Sequence, residues 1–148
     1  MITRILVAVD DSPAALVAAR AAVELAARLE AQLLAVNVVR DHLLSATLAA
    51  MSEYPCIDQR RDLAAAGVLS SVARLAREAG VEIDTRQVEG EPARCILAEA
   101  HAWRADLIVI AKSDQARRAG GPYVGSETAN VLEFAEQPVL VVPPRQPP

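Results

Sequence analysis

Two uninterrupted apolar runs near the end of the chain constrain the fold more than any other feature. Residues 107–110 read Leu-Ile-Val-Ile, and residues 139–142 read Val-Leu-Val-Val. Neither run alternates between apolar and polar residues, so each indicates a strand that is covered on both faces. Strands of this kind are typical of parallel sheets with helices on either side. The two runs therefore predict an α/β protein.

The rest of the chain predicts further strands that alternate with helices. We expect strands at 2–9, 32–39 and 81–88, and helices at 14–29, 59–79, 92–104 and 126–136. With the two apolar runs, this makes five strands and four helices in strict alternation, which predicts a three-layer sandwich around a mostly parallel sheet. The first helix is expected to bury one face, made of Leu16, Ala19, Val23, Ala26 and Leu29.

The polarity of the strands predicts their order in the sheet. The segment 81–88 alternates apolar and polar side chains, as a half-exposed edge strand does. The first and fourth strands are the most apolar and belong in the middle. These assignments fit the order 3-2-1-4-5. The strand order then reverses between strands 1 and 4, where ligands of open α/β sheets bind, in a crevice that residues 10–12 and 112–126 would line.

Composition and charge exclude several classes of protein. The 148 residues are most simply one domain, placed at 1–143, followed by a Pro-rich tail at 144–148. The net charge of −4 argues against a nucleic-acid-binding protein, which usually carries a basic excess. No apolar run approaches the roughly 20 residues that span a bilayer. No signal peptide precedes the first strand, so we expect a cytoplasmic protein without nucleic-acid or membrane partners.

No set of side chains stands at catalytic spacing. The motifs GxSxG, GxxxxGK[ST] and HExxH are absent, and His42 and His101 have no partner cluster. Cys56 and Cys95 lie far apart and outside a CxxC motif, which favours two reduced thiols. The sequence therefore predicts a protein that is not an enzyme, with no catalytic residue, no metal site and no required cofactor.

The segment between the two apolar runs is the best candidate for a ligand site. It contains Gly120-Gly121, and it ends in Gly125-Ser126 at the predicted start of a helix. A glycine and a hydroxyl at a helix N-terminus can bind an anion such as phosphate. Both residues also have a structural interpretation, because Gly125 could serve a turn and Ser126 could cap the helix.

Three blocks of the sequence, in this order, resemble the universal stress protein family. They are ILVAVDDSPAALVAARAAVELA at 5–26, VEGEPARCILAEAHAWRADLIVIA at 88–111 and GSETANVLEFAEQPVLVV at 125–142. Together they cover the beginning, middle and end of the chain. The resemblance implies a Rossmann-like fold of the adenine nucleotide alpha hydrolase-like kind, and a role in stress adaptation.

The chain departs from the nucleotide-binding motif that the resemblance implies. Members that bind ATP have a loop after the fourth strand that reads Gly, two residues, Gly, nine residues and Gly-Ser or Gly-Thr. Here Ala111 and Asp114 replace the first two glycines, ten residues follow Asp114, and only Gly125-Ser126 matches. A carboxylate about 4 Å from a phosphate would repel it by about 4 kcal/mol at an effective dielectric constant of about 20. Nearby basic residues could offset this repulsion, namely Lys112, Arg117 and Arg118.

Two functions therefore remain open. The first is a non-enzymatic, dimeric protein that regulates stress adaptation by binding proteins or a small ligand. The alternative is a nucleotide switch that binds ATP or AMP, with at most slow ATP hydrolysis and with Mg²⁺ beside the triphosphate. The resemblance implies that such a site would consist of Asp10, Ser12, Val38, Lys112, Gly125 and Ser126.

Several of these residues also have a purely structural interpretation. In nucleotide-binding members, the residue corresponding to Asp10 lies near the adenine and ribose, and the one corresponding to Val38 lies by the base. Asp10 could instead accept backbone hydrogen bonds in its turn, Val38 could belong to the core, and Lys112 could be solvated. Ser12 is well placed to cap the first helix.

The resemblance also implies a homodimer that pairs through the last strand, formed by Val139, Leu140, Val141 and Val142. An exposed apolar edge strand needs such cover. A charged substitution such as Val141→Lys is expected to disrupt the dimer. Residues 40–58 follow the second strand on the ligand-binding side of the sheet, where they could form a lid or a partner surface.

Overall fold

The computed structural model describes residues 1–40, 56–113 and 124–144, except for the side chains of residues 56–62. Several predictions concern residues outside these ranges. Most of the predicted lid at 40–58 is among them, as are Asp114, Arg117, Arg118 and Gly120-Gly121.

The described residues form five strands that alternate with four helices. The strands are β1 (Arg4–Ala8), β2 (Gln32–Val39), β3 (Ile83–Glu89), β4 (Leu107–Ala111) and β5 (Val139–Val142). The helices are α1 (Pro13–Leu29), α2 (Cys56–Glu78), α3 (Pro92–Trp103) and α4 (Ser126–Phe134). The predicted bounds of β2 and β5 are correct, whereas α2 begins at Cys56 rather than Gln59.

All five strands form one parallel sheet in the order β3-β2-β1-β4-β5. The predicted α/β class and strand order are therefore confirmed, with β3 at one edge. In the centre, Val7 of β1 is paired with Ala35 of β2 on one side and with Val109 of β4 on the other. This register brings the carboxyl ends of β1, β2 and β4 to the same edge of the sheet.

Apolar residues cover both faces of the sheet, which gives the predicted three layers. One cluster packs α1 and α2 against residues such as Ile5, Val7 and Leu33. The other packs α3 and α4 against the alternate strand residues, such as Leu6 and Leu34. The run 107–110 is thus buried from both sides. The run 139–142 is only partly buried, with Leu140 41% exposed, so the predicted cover of this strand on both faces is wrong: β5 lies at the edge of the sheet, where the helices cover it incompletely.

Helix α1 approaches the sheet through alanines rather than leucines. Its buried residues are Ala14, Ala15, Ala18, Ala19, Ala22, Val23 and Ala26. Leu16 and Leu29 are 37% and 43% exposed, so their predicted place on the buried face is wrong. Small side chains let the helix backbone lie close to the sheet, and the larger leucines are left at the margins of the contact.

The carboxylate of Asp106 ties the beginning of β1 to the turn before β4. Its Oδ2 accepts hydrogen bonds from Thr3 N at 2.9 Å, Arg4 N at 3.0 Å and Thr3 Oγ1 at 3.0 Å. The backbone hydrogen bond from Thr3 is the main reason why the pKa of Asp106 lies below its usual range. This carboxylate therefore stabilises the fold in its charged form.

Replacing Asp106 by asparagine is expected to cost about 1 kcal/mol of unfolding free energy at neutral pH, because hydrogen bonds to a charged acceptor are replaced by weaker ones. The depressed pKa means that the contribution is fully present above the unfolded pKa of about 3.9 and is lost as pH falls through the folded pKa. Urea unfolding between pH 7 and pH 2 should therefore show the two proteins converging in acid. Asp11→Asn is the control, and a difference for Asp106→Asn that persists at low pH would contradict the explanation.

Candidate functional site

A cavity of about 520 Å³ opens at the carboxyl ends of β1, β2 and β4. It lies where the strand order reverses around β1, at the predicted crevice. All six residues that the sequence predicts for a nucleotide site line this one cavity: Asp10, Ser12, Val38, Lys112, Gly125 and Ser126. Its volume lies within the range of roughly 300–1,000 Å³ that is usual for small-molecule sites.

The turn after β1 is held by its own polar side chains. Asp10 Oδ1 accepts a hydrogen bond from Ser12 N at 2.8 Å, and Ser12 Oγ accepts one from Ala15 N at 3.2 Å. Ser12 therefore caps α1, with Pro13 as the first helical residue. Asp10 therefore accepts a backbone hydrogen bond in its turn, which is the structural role that the sequence left open. Its other carboxylate oxygen can still accept a hydrogen bond from a ligand, and the Ser12 hydroxyl group can still donate one.

The end of β2 forms the next part of the cavity wall. Val38 is half-buried and packs against the cluster on the α3 and α4 face, while it also lines the cavity. Its neighbour Asn37 is 6% exposed and donates from Nδ2 to the Val9 carbonyl at 2.9 Å. This hydrogen bond joins the ends of β1 and β2. The sequence analysis did not select Asn37, although an amide within the apolar segment QLLAVNVV was a visible signal.

Helix α4 begins directly beside the cavity, and no described side chain caps its N-terminus. Gly125 is the N-cap residue, and Ser126 is the first helical residue, so the structural alternative in which Ser126 caps the helix is wrong. The first intrahelical hydrogen bond runs from Ala129 N to the Gly125 carbonyl at 2.9 Å. The backbone N–H groups of residues 126–128 precede it, and such groups are suited to an anionic acceptor.

The start of α4 is fixed against the end of β4. Thr128 is buried and donates from Oγ1 to the Ala111 carbonyl at 3.2 Å. Lys112 N donates to the Val142 carbonyl at 2.8 Å, which continues the pairing of β4 with β5. Ser113 N lies 3.4 Å from the Val124 carbonyl that accepts its hydrogen bond. Ser113 and Val124 are therefore held together beside the cavity.

Four charged side chains line the described part of the cavity wall. Lys112 is half-buried and has no ion-pair partner within the described residues. Arg40, just after β2, forms an ion pair with Glu127 in the first turn of α4. Asp10 is the second carboxylate. Sequence reasoning missed Arg40 and Glu127 because nothing local connects two residues that lie 87 positions apart.

Groups that could perform other chemistry are not gathered in the described part of the chain. Among those residues, no three His, Cys, Asp or Glu side chains lie close enough to hold a metal ion. No helix in the described ranges is long and apolar enough to cross a membrane. Partial burial, followed by the nearby Glu91 and Glu99, raises the pKa of the Cys95 thiol. Cys95 is therefore a neutral thiol at physiological pH, which disfavours reactivity.

Comparisons with known proteins agree with this architecture. Residues 1–143 match the universal stress protein family. A universal stress protein of Methanocaldococcus jannaschii is 32% identical over 139 residues, which are 94% of this chain and 81% of the relative.

Two solved structures share the fold. One is a universal stress protein in complex with cAMP, which has a TM-score of 0.68 and 23% identity and covers 97% of this chain and 98% of its own. The other is the universal stress protein from Archaeoglobus fulgidus in complex with dAMP, with a TM-score of 0.69, 24% identity and coverage of 95% and 98%. The match of nearly the whole chain, and the identity to the archaeal relative, show that this chain belongs to the universal stress protein family.

Proposed function

We propose that the protein acts in stress adaptation as a binding protein rather than an enzyme, and that the crevice binds an adenine nucleotide. The observation that carries the proposal is the cavity itself, which joins an apolar wall to a helix N-terminus that no described side chain caps. Val38 and Ile96 belong to the apolar part, and Gly125 belongs to the helix start. An adenine nucleotide has the same two halves, a flat apolar base and an anionic phosphate.

The polar residues are arranged along the cavity in an order that suits such a ligand. Asp10 and Ser12 follow β1, between the wall formed by β2 and the helix start that follows β4. In this proposal, Asp10 and Ser12 hydrogen-bond the ribose. Lys112 and the N–H groups at the start of α4 bind the phosphate. The complexes of the two structural neighbours with cAMP and dAMP support the same ligand class.

The residues of the cavity wall also indicate how Mg²⁺ could be bound together with ATP. The carboxylates of Asp10 and Glu127 lie on the wall, but no described cluster of three acidic, His or Cys side chains would hold a metal ion by itself. A magnesium ion that accompanies ATP would be coordinated through the phosphate oxygens. We propose no hydrolysis step.

The only lysine of the chain makes the nucleotide proposal directly testable. Lys112 lines the cavity, and the exposed α-amino group of Met1 is the other primary amine. An amine-acylating reagent should label both, and millimolar AMP or ATP should slow the labelling of Lys112 at least fivefold because bound phosphate covers its ammonium group. Mass spectrometry reads both sites in one sample, so Met1 is an internal control.

Two further measurements decide the outcome. Denaturation of the purified protein should release a nucleotide that mass spectrometry identifies, and titration calorimetry on stripped protein should give a micromolar dissociation constant. No released nucleotide, no heat at millimolar AMP or ATP and no protection of Lys112 would together contradict the proposal. The regulatory role would then have to depend on protein partners alone.

We also propose that the protein is a homodimer that pairs through β5. This strand is the outermost of the sheet on its side, so one row of its backbone groups has no partner strand within the described residues. Leu140 of β5 is 41% exposed, and Phe134 at the end of α4 is 66% exposed. A second copy would cover both the strand edge and these apolar side chains.

A further inference from the structure

We propose that the ion pair between Arg40 and Glu127 makes the crevice select nucleotides with few phosphates, so that AMP binds in preference to ATP. The inference rests on the proposed nucleotide-binding function and adds a selectivity to it. It assigns Arg40 as a phosphate-binding residue and Glu127 as the residue that disfavours further phosphates.

The ion pair lies across the cavity. Arg40 comes from the end of β2 and Glu127 from the first turn of α4, which follows β4, and these two strands lie on opposite sides of β1. The guanidinium NH2 group of Arg40 donates to Glu127 Oε1, and both residues line the cavity. The side chains are 74% and 41% exposed, so a ligand can reach both of them.

Glu127 places a negative charge where phosphate would otherwise be most favoured. It is the second residue of α4, next to the backbone N–H groups that follow Gly125. A carboxylate in the first turn of a helix also interacts favourably with the helix dipole. An incoming phosphate must compete with this carboxylate for the Arg40 guanidinium, and any phosphate left beside Glu127 is repelled.

The charges on the described wall do not favour a highly charged ligand. Arg40 and Lys112 are positive, while Asp10 and Glu127 are negative, so the four charges cancel. Two cations are enough for a single phosphate group, which carries about two negative charges above its second pKa of about 6. Each additional phosphate adds negative charge, and the described part of the wall offers it no cation beyond Arg40 and Lys112. The wall therefore favours a monophosphate over a triphosphate.

The test compares AMP and ATP binding by calorimetry at pH 8 and low ionic strength, with EDTA present so that neither ligand carries a metal. Wild-type protein should bind AMP more tightly than ATP. Glu127→Gln should strengthen AMP binding about threefold and ATP binding about tenfold, because the Coulomb energy with a unit charge scales with the charge of the ligand. Arg40→Gln should weaken both in the same proportions. All of these differences should shrink at high salt.

A matched ion pair elsewhere on the surface supplies the control. Glu24 and Arg28 of α1 form an exposed ion pair at 2.7 Å, and neither residue lines the cavity. Glu24→Gln and Arg28→Gln make the same changes in net charge and should leave both affinities within a factor of two.

The outcomes separate this inference from the function on which it rests. If neither AMP nor ATP binds the wild type, the proposed function fails and the inference fails with it. If both bind, but Glu127→Gln changes the two affinities by the same factor, the selectivity is wrong and the nucleotide site stands. Equal effects of Glu24→Gln and Glu127→Gln would show that net charge alone is responsible, which also overturns the inference.

Discussion

Gly125→Ala is expected to lower the free energy of unfolding by about 2–4 kcal/mol and to weaken nucleotide binding at least thirtyfold. Gly125 has φ +97°, a conformation that costs a residue with a Cβ roughly 1–3 kcal/mol. A Cβ at this position would also lie only 2.8 Å from Ser113 Cβ. Relief of that contact must move the start of α4 away from the end of β4, which would misplace the N–H groups proposed to bind phosphate.

A second glycine provides a control for which the expected change in the free energy of unfolding has the opposite sign. Gly67 lies within α2, and a Cβ there would meet no atom within 4 Å. Gly67→Ala should therefore stabilise the protein by up to about 1 kcal/mol, because alanine has the higher helix propensity. Urea unfolding and AMP calorimetry on both variants provide the comparison.

A double variant separates the two causes of the Gly125→Ala effect. Ser113→Gly removes the Cβ that the new methyl group would contact. If the close contact matters, Ser113→Gly should restore part of the stability lost in Gly125→Ala. Ser113→Gly alone is measured as well, because Ser113 has interactions of its own. An additive double variant would assign the whole cost to the positive φ, and wild-type stability and binding in Gly125→Ala itself would show that this description of the helix start is wrong.

The sequence predicted the sheet well because its signals are local. The uninterrupted runs 107–110 and 139–142 became β4 and β5, and the alternation in 81–88 identified the edge strand β3. Strand order then located the crevice, since the carboxyl ends of parallel strands necessarily share one edge. This is why the six predicted residues, drawn from distant segments, line the same cavity.

Features that depend on the size and length of side chains could not be predicted from such local signals. The periodicity of α1 is compatible with a buried face that contains Leu16 and Leu29. An alanine-rich helix has several apolar faces, however, and close packing on the sheet buries the face with the smallest residues. The ion pair of Arg40 with Glu127 arises only once β1 separates β2 and β4 by the width of one strand. The number of residues between Arg40 and Glu127 in the sequence does not indicate this distance in the fold.

Leu140→Lys is expected to convert a dimer of the protein into a monomer. In β5, Val139 and Val141 pack against the cluster on the α3 and α4 face, whereas Leu140 lies on the opposite face and is 41% exposed. Val141→Lys would therefore disturb the core as well as the interface. Lysine at position 140 leaves the packed residues unchanged and places a charge at the strand edge, a feature that blocks pairing between edges.

Size-exclusion chromatography with light scattering measures the effect, and Leu63→Lys is the control. Leu63 of α2 is 72% exposed, and α2 packs against β2 and β3, at the edge of the sheet opposite to β5. Leu63→Lys should remain dimeric, and neither substitution should change the free energy of unfolding of the monomer by more than about 1 kcal/mol. A monomeric wild type would contradict the homodimer. A dimeric Leu140→Lys would move the interface away from β5, because a buried, unpaired lysine in a strand-to-strand contact costs far more than a few apolar contacts can offset.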